Sequence, residues 1–320
     1  MNIGKFCIEA QNASGASAGM FTDLVSVVMT RERYTPYVTL DFTFDITNCG
    51  AINIEDMVSV RLVYELSGIF FGRTAGVSIQ KSGTKRLVTG RAVSYTKTVS
   101  TCDAVPGMIF NCSLNDIVNQ NTTMPNVTYQ QVSDTASYIY VKESDTIWLA
   151  ITALSIKLYE QYPYIKGMNT VNINKTGCAT HNYSTSRIVS TIHGNNFSNA
   201  LSRINMKGTQ DTYEYYCNDS EAIRRGIMRE RYIPLDRQWL NSPQTGLKHK
   251  LYFARRGGVY RGFTYYGFKN EQLCDTVIYS HGNVSYTGEV SKLILKADKK
   301  GIFTTVISYD DGYASIIHNS

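Results

Sequence analysis

Residues Gly15-Ala16-Ser17-Ala18-Gly19 have the G-x-S-x-G spacing of a hydrolase nucleophile elbow. That motif works by seating its serine on a strand-to-helix turn at the edge of a parallel sheet. Here loop-forming residues separate it from the nearest predicted strand and no alternating β and α units follow, so a mobile loop is the better reading. Cys178 and His181 offer a thiol and an imidazole at a tolerable spacing for zinc, but a structural zinc takes four ligands and no second pair stands nearby. His193, His249, His281 and His318 are dispersed along the chain. Asp41 and Asp45 share the polar face of a predicted strand, and Asp310-Asp311-Gly312 reads as a turn. Neither pair sits in a sugar cleft of the kind a glycosidase needs around its carboxylates, and solvation and turn formation account for both. Phosphate-binding glycine loops are absent as well, so the sequence assigns no catalytic residue, no metal and no cofactor.

The residues that stand out are suited to binding. Between Ser220 and Asp275 the chain gathers Arg224, Arg225, Arg229, Arg231 and Arg237 into a predicted helix-then-turn segment with Tyr232, Asp236 and Trp239, and Arg255, Arg256 and Arg261 follow. Arg, Tyr and Trp dominate interface hot spots because they combine large contact area with directional donors. Arginine clusters also hold phosphates, but a net charge of +6 spread over 320 residues is far below the concentrated field of a dedicated DNA-binding domain. Protein is therefore the expected partner. The plainer readings are that the arginines only solvate a helix and that Tyr232 and Trp239 belong to a core.

These residues must be positioned by a chain long enough for two or three domains. Tyr37 to Ile46 alternates Val38, Leu40, Phe42, Phe44 and Ile46 against Thr39, Asp41, Thr43 and Asp45, the period of a half-buried strand. Val58 to Leu66 repeats the pattern, and glycines bracket the apolar run in Gly68-Ile69-Phe70-Phe71-Gly72 as at a sharply turned barrel strand. Ser144 to Tyr162 reads as a helix capped by Ser144, with Ile147, Ala150, Ile151, Leu154 and Leu158 on one face and Pro163 ending it. A second helix is expected near 220–230, and Leu251 to Phe253, Gly258 to Phe268 and Cys274 to Tyr279 read as strands. The expected organisation is a β-rich first domain over 1–100 that reads as an antiparallel barrel or sandwich, a small α+β insert over 101–185, and a second β-rich domain with a C-terminal extension over 186–320.

The 23 tyrosines suit strands and interfaces, where the ring is buried while its hydroxyl stays bonded. Seven dispersed cysteines without a framework predict free thiols in a reducing compartment. The first residues lack a signal-peptide core, and no apolar run is long enough to span a bilayer, so a cytoplasmic product without membrane insertion is expected.

In order along the chain stand Tyr34-Thr35-Pro36, Ile69 to Gly72, Ser144 to Tyr162 followed by Pro163-Tyr164-Ile165 and Asn169-Thr170-Val171, Arg231-Tyr232-Ile233-Pro234-Leu235-Asp236 with Trp239, and Tyr266-Gly267-Phe268 with Glu271 and Asp275. Their succession resembles the baseplate hub proteins of contractile phage tails, of R-type bacteriocins and of defective prophages, including the late-control D group. The resemblance implies two tube-type antiparallel β-barrels in one chain, joined through the insert. Three chains would form a ring of six barrels that adapts a six-fold tail tube to a three-fold central spike. It implies contacts with the tube, spike, baseplate wedge and tape-measure proteins, DNA met only transiently, and assembly in the bacterial cytoplasm before incorporation into a tail baseplate. The interface would be Arg224, Arg225, Arg229, Arg231, Tyr232, Asp236, Arg237 and Trp239, with Arg255, Arg256 and Arg261. Nothing in the chain resembles the peptidoglycan-cleaving module some hubs carry. The alternative is a carbohydrate-binding or carbohydrate-cleaving β-protein of the tail tip.

Overall fold

A computed structural model describes residues 6–50, 52–281, 284–310 and 316–318. Asp311 and Gly312, read as part of a turn, lie outside them. The first third is all β: β1 (Phe6–Gln11), β2 (Ser17–Phe21), β3 (Leu24–Glu32), β4 (Thr39–Asp45), β5 (Ser59–Tyr64), β6 (Ser67–Ser82) and β7 (Lys85–Ser94). Next come α1 (Lys97–Thr101), β8 (Gly107–Cys112), α2 (Leu114–Gln120), β9 (Thr128–Tyr129), β10 (Ala136–Val141), α3 (Ile147–Tyr159), β11 (Tyr164–Lys166) and β12 (Thr170–Asn172). The remainder contains β13 (Thr180–Tyr183), β14 (Ile188–Asn195), β15 (Arg203–Met206), β16 (Tyr215–Asp219), α4 (Ser220–Arg224), β17 (Glu230–Ile233) and α5 (Pro243–Arg255). It closes with β18 (Val259–Tyr266), β19 (Thr276–His281), β20 (Val284–Glu289), β21 (Lys292–Asp298), β22 (Gly301–Asp310) and β23 (Ile316–His318).

The molecule is mainly β with an α+β insert, as expected. Its largest unit is an antiparallel sheet of eleven strands in the order β14-β18-β22-β21-β3-β4-β7-β6-β5-β1-β2. The two β-rich halves meet in this sheet, because β21 pairs with β3 from Lys292–Glu32 to Asp298–Ser26. Alternation decides the faces: Leu40, Phe42 and Phe44 of β4 are buried while Asp41 points outward. The same alternation places Arg31 of β3 in the core. There its guanidinium donates to Gln272 Oε1 and to the Ile69 carbonyl, both at 2.6 Å. Gly72 is required within β6, since a Cβ there would lie 2.2 Å from the Val93 carbonyl oxygen.

Three apolar cores hold the fold. The first joins the strands of the first third to the insert, through Ile139, Ile147, Ile151 and Leu154, and also takes in Leu295, Ala297 and Ile302 from β21 and β22. The second is aromatic: Tyr164, Tyr183, Phe263, Tyr265 and Tyr279 pack around Val277 and Val306. Its buried hydroxyls are satisfied as the sequence suggested, Tyr183 and Tyr265 both donating to the fully buried Glu271. The third core, Leu201, Ile204, Met206, Cys217, Leu247 and Leu251, belongs to a separate α+β unit lying between β14 and β18. In it α5 covers the small sheet β17-β15-β16-β23.

Four elements differ from the sequence reading, the first being the loop expected over 15–19, of which Ser17 and Gly19 pair with β1 as part of β2. The helix expected over 144–162 occupies Ile147–Tyr159. Ser144 has a left-handed backbone, φ 68°, so Thr146 caps the helix and the left-handed Glu160 ends it before Pro163. The helix expected near 220–230 is a five-residue turn, stopped at Gly226 with φ +73°, and Glu230–Ile233 pairs instead as a strand with β15. Leu251 to Phe253, expected as a strand, lies within α5. Pro243 at its first turn and the buried Leu247, Leu251 and Arg255 at four-residue spacing mark this helix.

Candidate interface and groove

The arginine-rich segment divides into an exposed surface and an internal joint. Arg224 and Arg225 are exposed and both reach back to Glu221, at 2.8 and 2.7 Å. The hydrogen bonds from Arg224 and Arg225 outweigh its desolvation and hold the Glu221 carboxyl at about 2. Arg225 also lies over the Phe197 ring, 4.1 Å from its centre. Arg229 is exposed and donates to the Ser198 carbonyl, while Arg231 and Tyr232 project from β17 into solvent. Tyr232 packs edge-on against Tyr213, with 5.0 Å between ring centres. Arg237, Arg256 and Arg261 are exposed over the rings of Tyr140, Phe253 and Tyr286.

Asp236, Trp239 and Arg255 lie inside the chain. Arg255 is 4% exposed and pairs with Asp219 at 2.8 Å, the same carboxylate oxygen that caps α4. Asp236 accepts from Lys142 of the insert and Lys250 of α5, at 3.2 and 3.0 Å. Burial pushes its carboxyl upward, but the two lysines outweigh that and keep it below the ordinary carboxylate value. Gln238 accepts the Tyr140 amide at 2.7 Å, and Tyr138 Oη donates to the Gln238 carbonyl at 3.2 Å. Trp239 stacks on His249 and lies so close to Gly246 that any Cβ there would sit 2.3 Å from the indole. Lys157 donates to the Tyr138 carbonyl and faces the Tyr138 ring at 3.4 Å; burial lowers its ammonium to about 8 despite Cys112 and Asp236. The segment Asp236 to Trp239 is thus the bolt between the insert and the α5 unit. Its partners Tyr138, Tyr140 and Lys142 stand about a hundred positions earlier, where no local pattern marks them; Gln238 itself lay within the segment already singled out.

Beside the bolt a groove of about 810 Å³ opens between α3 and α5. Trp148 and Leu149 of α3, Phe253 of α5, and Tyr34 and Tyr162 are among the residues that line it. Arg229, Arg231 and Arg256 stand around it. Tyr162 stacks on Phe253, and Tyr34 Oη meets Tyr252 Oη at 3.0 Å, so residues from the first strands, the insert and α5 share one aromatic cluster.

The residues first considered for chemistry are placed otherwise. Ser17 opens β2 after a hairpin turn in which the Asn12 side chain accepts the Ser14 and Ala16 amides, so no strand-to-helix elbow forms. His181 contacts Asp275 at 2.9 Å, and Asp275 also accepts the Ala179 and Gln272 amides, fastening β13 beside β19. Asp41 faces Arg91 at 3.5 Å, and Asp45 accepts from Thr47. Among the described residues no three His, Cys, Asp or Glu side chains converge as metal ligands. No described helix is long and apolar enough to cross a membrane.

No family model matches the sequence, and no curated protein is significantly similar to it. Solved structures are. A tail protein from Neisseria meningitidis MC58 superposes with a TM-score of 0.70 at 13% identity, over 97% of this chain and 98% of its own. The 43 kDa tail protein of prophage MuSo2 from Shewanella oneidensis gives 0.71 at 9% identity, over 97% and 99%. Prophage tail protein gp18 from Listeria monocytogenes EGD-e gives 0.56 at 11%, over 96% and 94%. Over nearly its whole length, therefore, the chain has the fold of phage and prophage tail proteins.

Proposed function

We propose that the chain is a structural hub of a contractile-tail baseplate, a homotrimer that adapts the six-fold tail tube to the three-fold central spike. The two-way overlap with tail proteins carries this reading: one fold accounts for 97% of this chain and for 98% and 99% of two tail proteins. Residues 1–100 and 186–320 supply the two ring-forming β halves, as tube-type barrels, and 101–185 joins them. The exposed Arg224, Arg225, Arg229, Arg231, Tyr232, Arg237, Arg256 and Arg261 meet neighbouring subunits or the tube, spike, wedge and tape-measure proteins. Asp236, Trp239 and Arg255 serve by shaping that surface from within. The chain acts by binding rather than catalysis, touches DNA only in passing, and is assembled in the bacterial cytoplasm into the baseplate. Rings closed by heterologous contacts need large, well-packed interfaces, and exposed arginines over aromatic rings are suited to them.

Light scattering at micromolar concentration tests the reading. A trimer is expected, and Arg229→Glu combined with Arg231→Glu should break it while leaving the β circular-dichroism signal. A stable monomer, alone and with tube and spike partners, would overturn it.

A further inference from the structure

β17 ends the small sheet, pairing with β15 on one side and with no described strand on the other. The carbonyls of Arg229 and Ile233 accept the Ser202 and Lys207 amides, at 2.8 and 3.1 Å, on the β15 side. Main-chain groups alternate between the two edges of a strand, so those of Glu230 and Tyr232 face away from the sheet. Glu230, Arg231 and Tyr232 are all exposed. An open edge of this kind is a template for another extended chain. Arg231 and Ile233 also line the groove between α3 and α5. A chain paired on the edge would carry alternate side chains on that same face.

The groove selects what those side chains are. Trp148 and Leu149, the latter 49% exposed, give it apolar surface. Of its carboxylates, Asp236 holds Lys142 and Lys250, and Asp145 accepts the Lys142 amide. Its arginines have no described carboxylate partner: Arg229 and Arg256 donate to backbone carbonyls, and Arg231 has no hydrogen bond or ion pair among the described residues. Charge complementarity therefore selects an acidic occupant, and the open main-chain edge an extended one. Nucleic acid would need bare rings on which to stack its bases, but Trp239 already stacks on His249 and Tyr162 on Phe253.

We propose that the groove docks an extended acidic segment of a partner tail protein, added to the open edge of β17 with a large apolar side chain against Leu149 and a carboxylate on Arg231. The inference rests on the reading of the chain as a baseplate binding protein and assigns one of its contacts. Both tryptophans of the chain, Trp148 and Trp239, line the groove, so their emission reports on it. Random peptides displayed against the immobilised full chain should enrich sequences that place Asp or Glu at alternate positions from a large apolar residue. Synthetic copies of these should shift the tryptophan emission saturably. Arg231→Glu and Arg256→Glu should each weaken that binding at least tenfold with an unchanged circular-dichroism spectrum, and Lys in place of the peptide's acid should restore part of it in Arg231→Glu. Methylating the peptide's backbone amides that meet β17 should weaken binding as much with the protein untouched. Enrichment of neutral or basic peptides, binding indifferent to these changes, or oligothymidylate bound more tightly than any selected peptide would overturn the inference. A trimer that selects no acidic peptide would overturn it and leave the hub standing. A chain that binds such peptides yet stays monomeric with tube and spike present would overturn the hub and keep the groove as a peptide site.

Discussion

Arg255 and Arg256 are neighbours in sequence and opposites in place, the first buried against Asp219 and the second stacked in solvent on Phe253. Nothing in the residue type separates them; α5 does, by turning one inward. His249 on the same helix shows what such burial does to titration. Desolvation, with Lys248 adding, lowers its imidazole from 6.5 to about 4. The unfolded chain then takes up a proton near pH 6.5 that the folded chain refuses until about pH 4. The folded state keeps its full advantage above pH 6.5 and loses it as pH falls between those values. By pH 5 the loss should reach about 2 kcal/mol. Urea unfolding from pH 7 to 5 measures it, and His249→Gln should flatten the slope. A slope unchanged in that variant would place the titration elsewhere.

At the scale of elements, the arginine-rich segment is three pieces: a short capped helix, a strand and a buried single turn. Asp219 ties the first of them to α5, its Oδ1 accepting the Glu221 and Ala222 amides at the start of α4 and Arg255 from the end of α5. Removing the arginine leaves a buried carboxylate without its counter-charge. Arg255→Met is accordingly expected to cost about 3–5 kcal/mol, read by chemical denaturation. An effect below about 1 kcal/mol would mean that the partners left to Asp219 satisfy its carboxylate. Clean strands such as β4 were legible because alternating burial leaves its period in the sequence. Helix α5 was less so: Leu-Tyr-Phe favours strands locally, and only packing of Leu247 and Leu251 on the small sheet settles it as helix. The short α4 was overestimated because Gly226 and the pairing of β17 outweigh the helical preference of Met and Arg.

At the scale of the whole molecule, the halves are not independent beads. β21 continues the sheet begun by β3, and Leu295, Ala297 and Ile302 complete the core of the first third. Arg31 and Gln272 add a part-buried polar contact across the same junction, and Gln272 also accepts the Gly167 amide of the insert. The first third, the insert and the β21–β22 pair should therefore unfold in one cooperative transition, while the α5 unit with its own core can open separately. Hydrogen exchange followed by mass spectrometry reads this directly. Separate protection levels for β4 and β22 would contradict it. A fragment ending at residue 185 should expose the surface that β21 and β22 cover and aggregate.

By itself, the sequence determined the mainly β character and the α+β insert, and it marked where arginine, tyrosine and tryptophan concentrate. Each of these follows from side-chain period or composition within a short window. Only the tertiary structure decided that Asp236 and Trp239 bolt two units together and that Arg255 faces inward. Those outcomes depend on contacts between residues tens to hundreds of positions apart, and the energy of such contacts is spread over partners that no local pattern records.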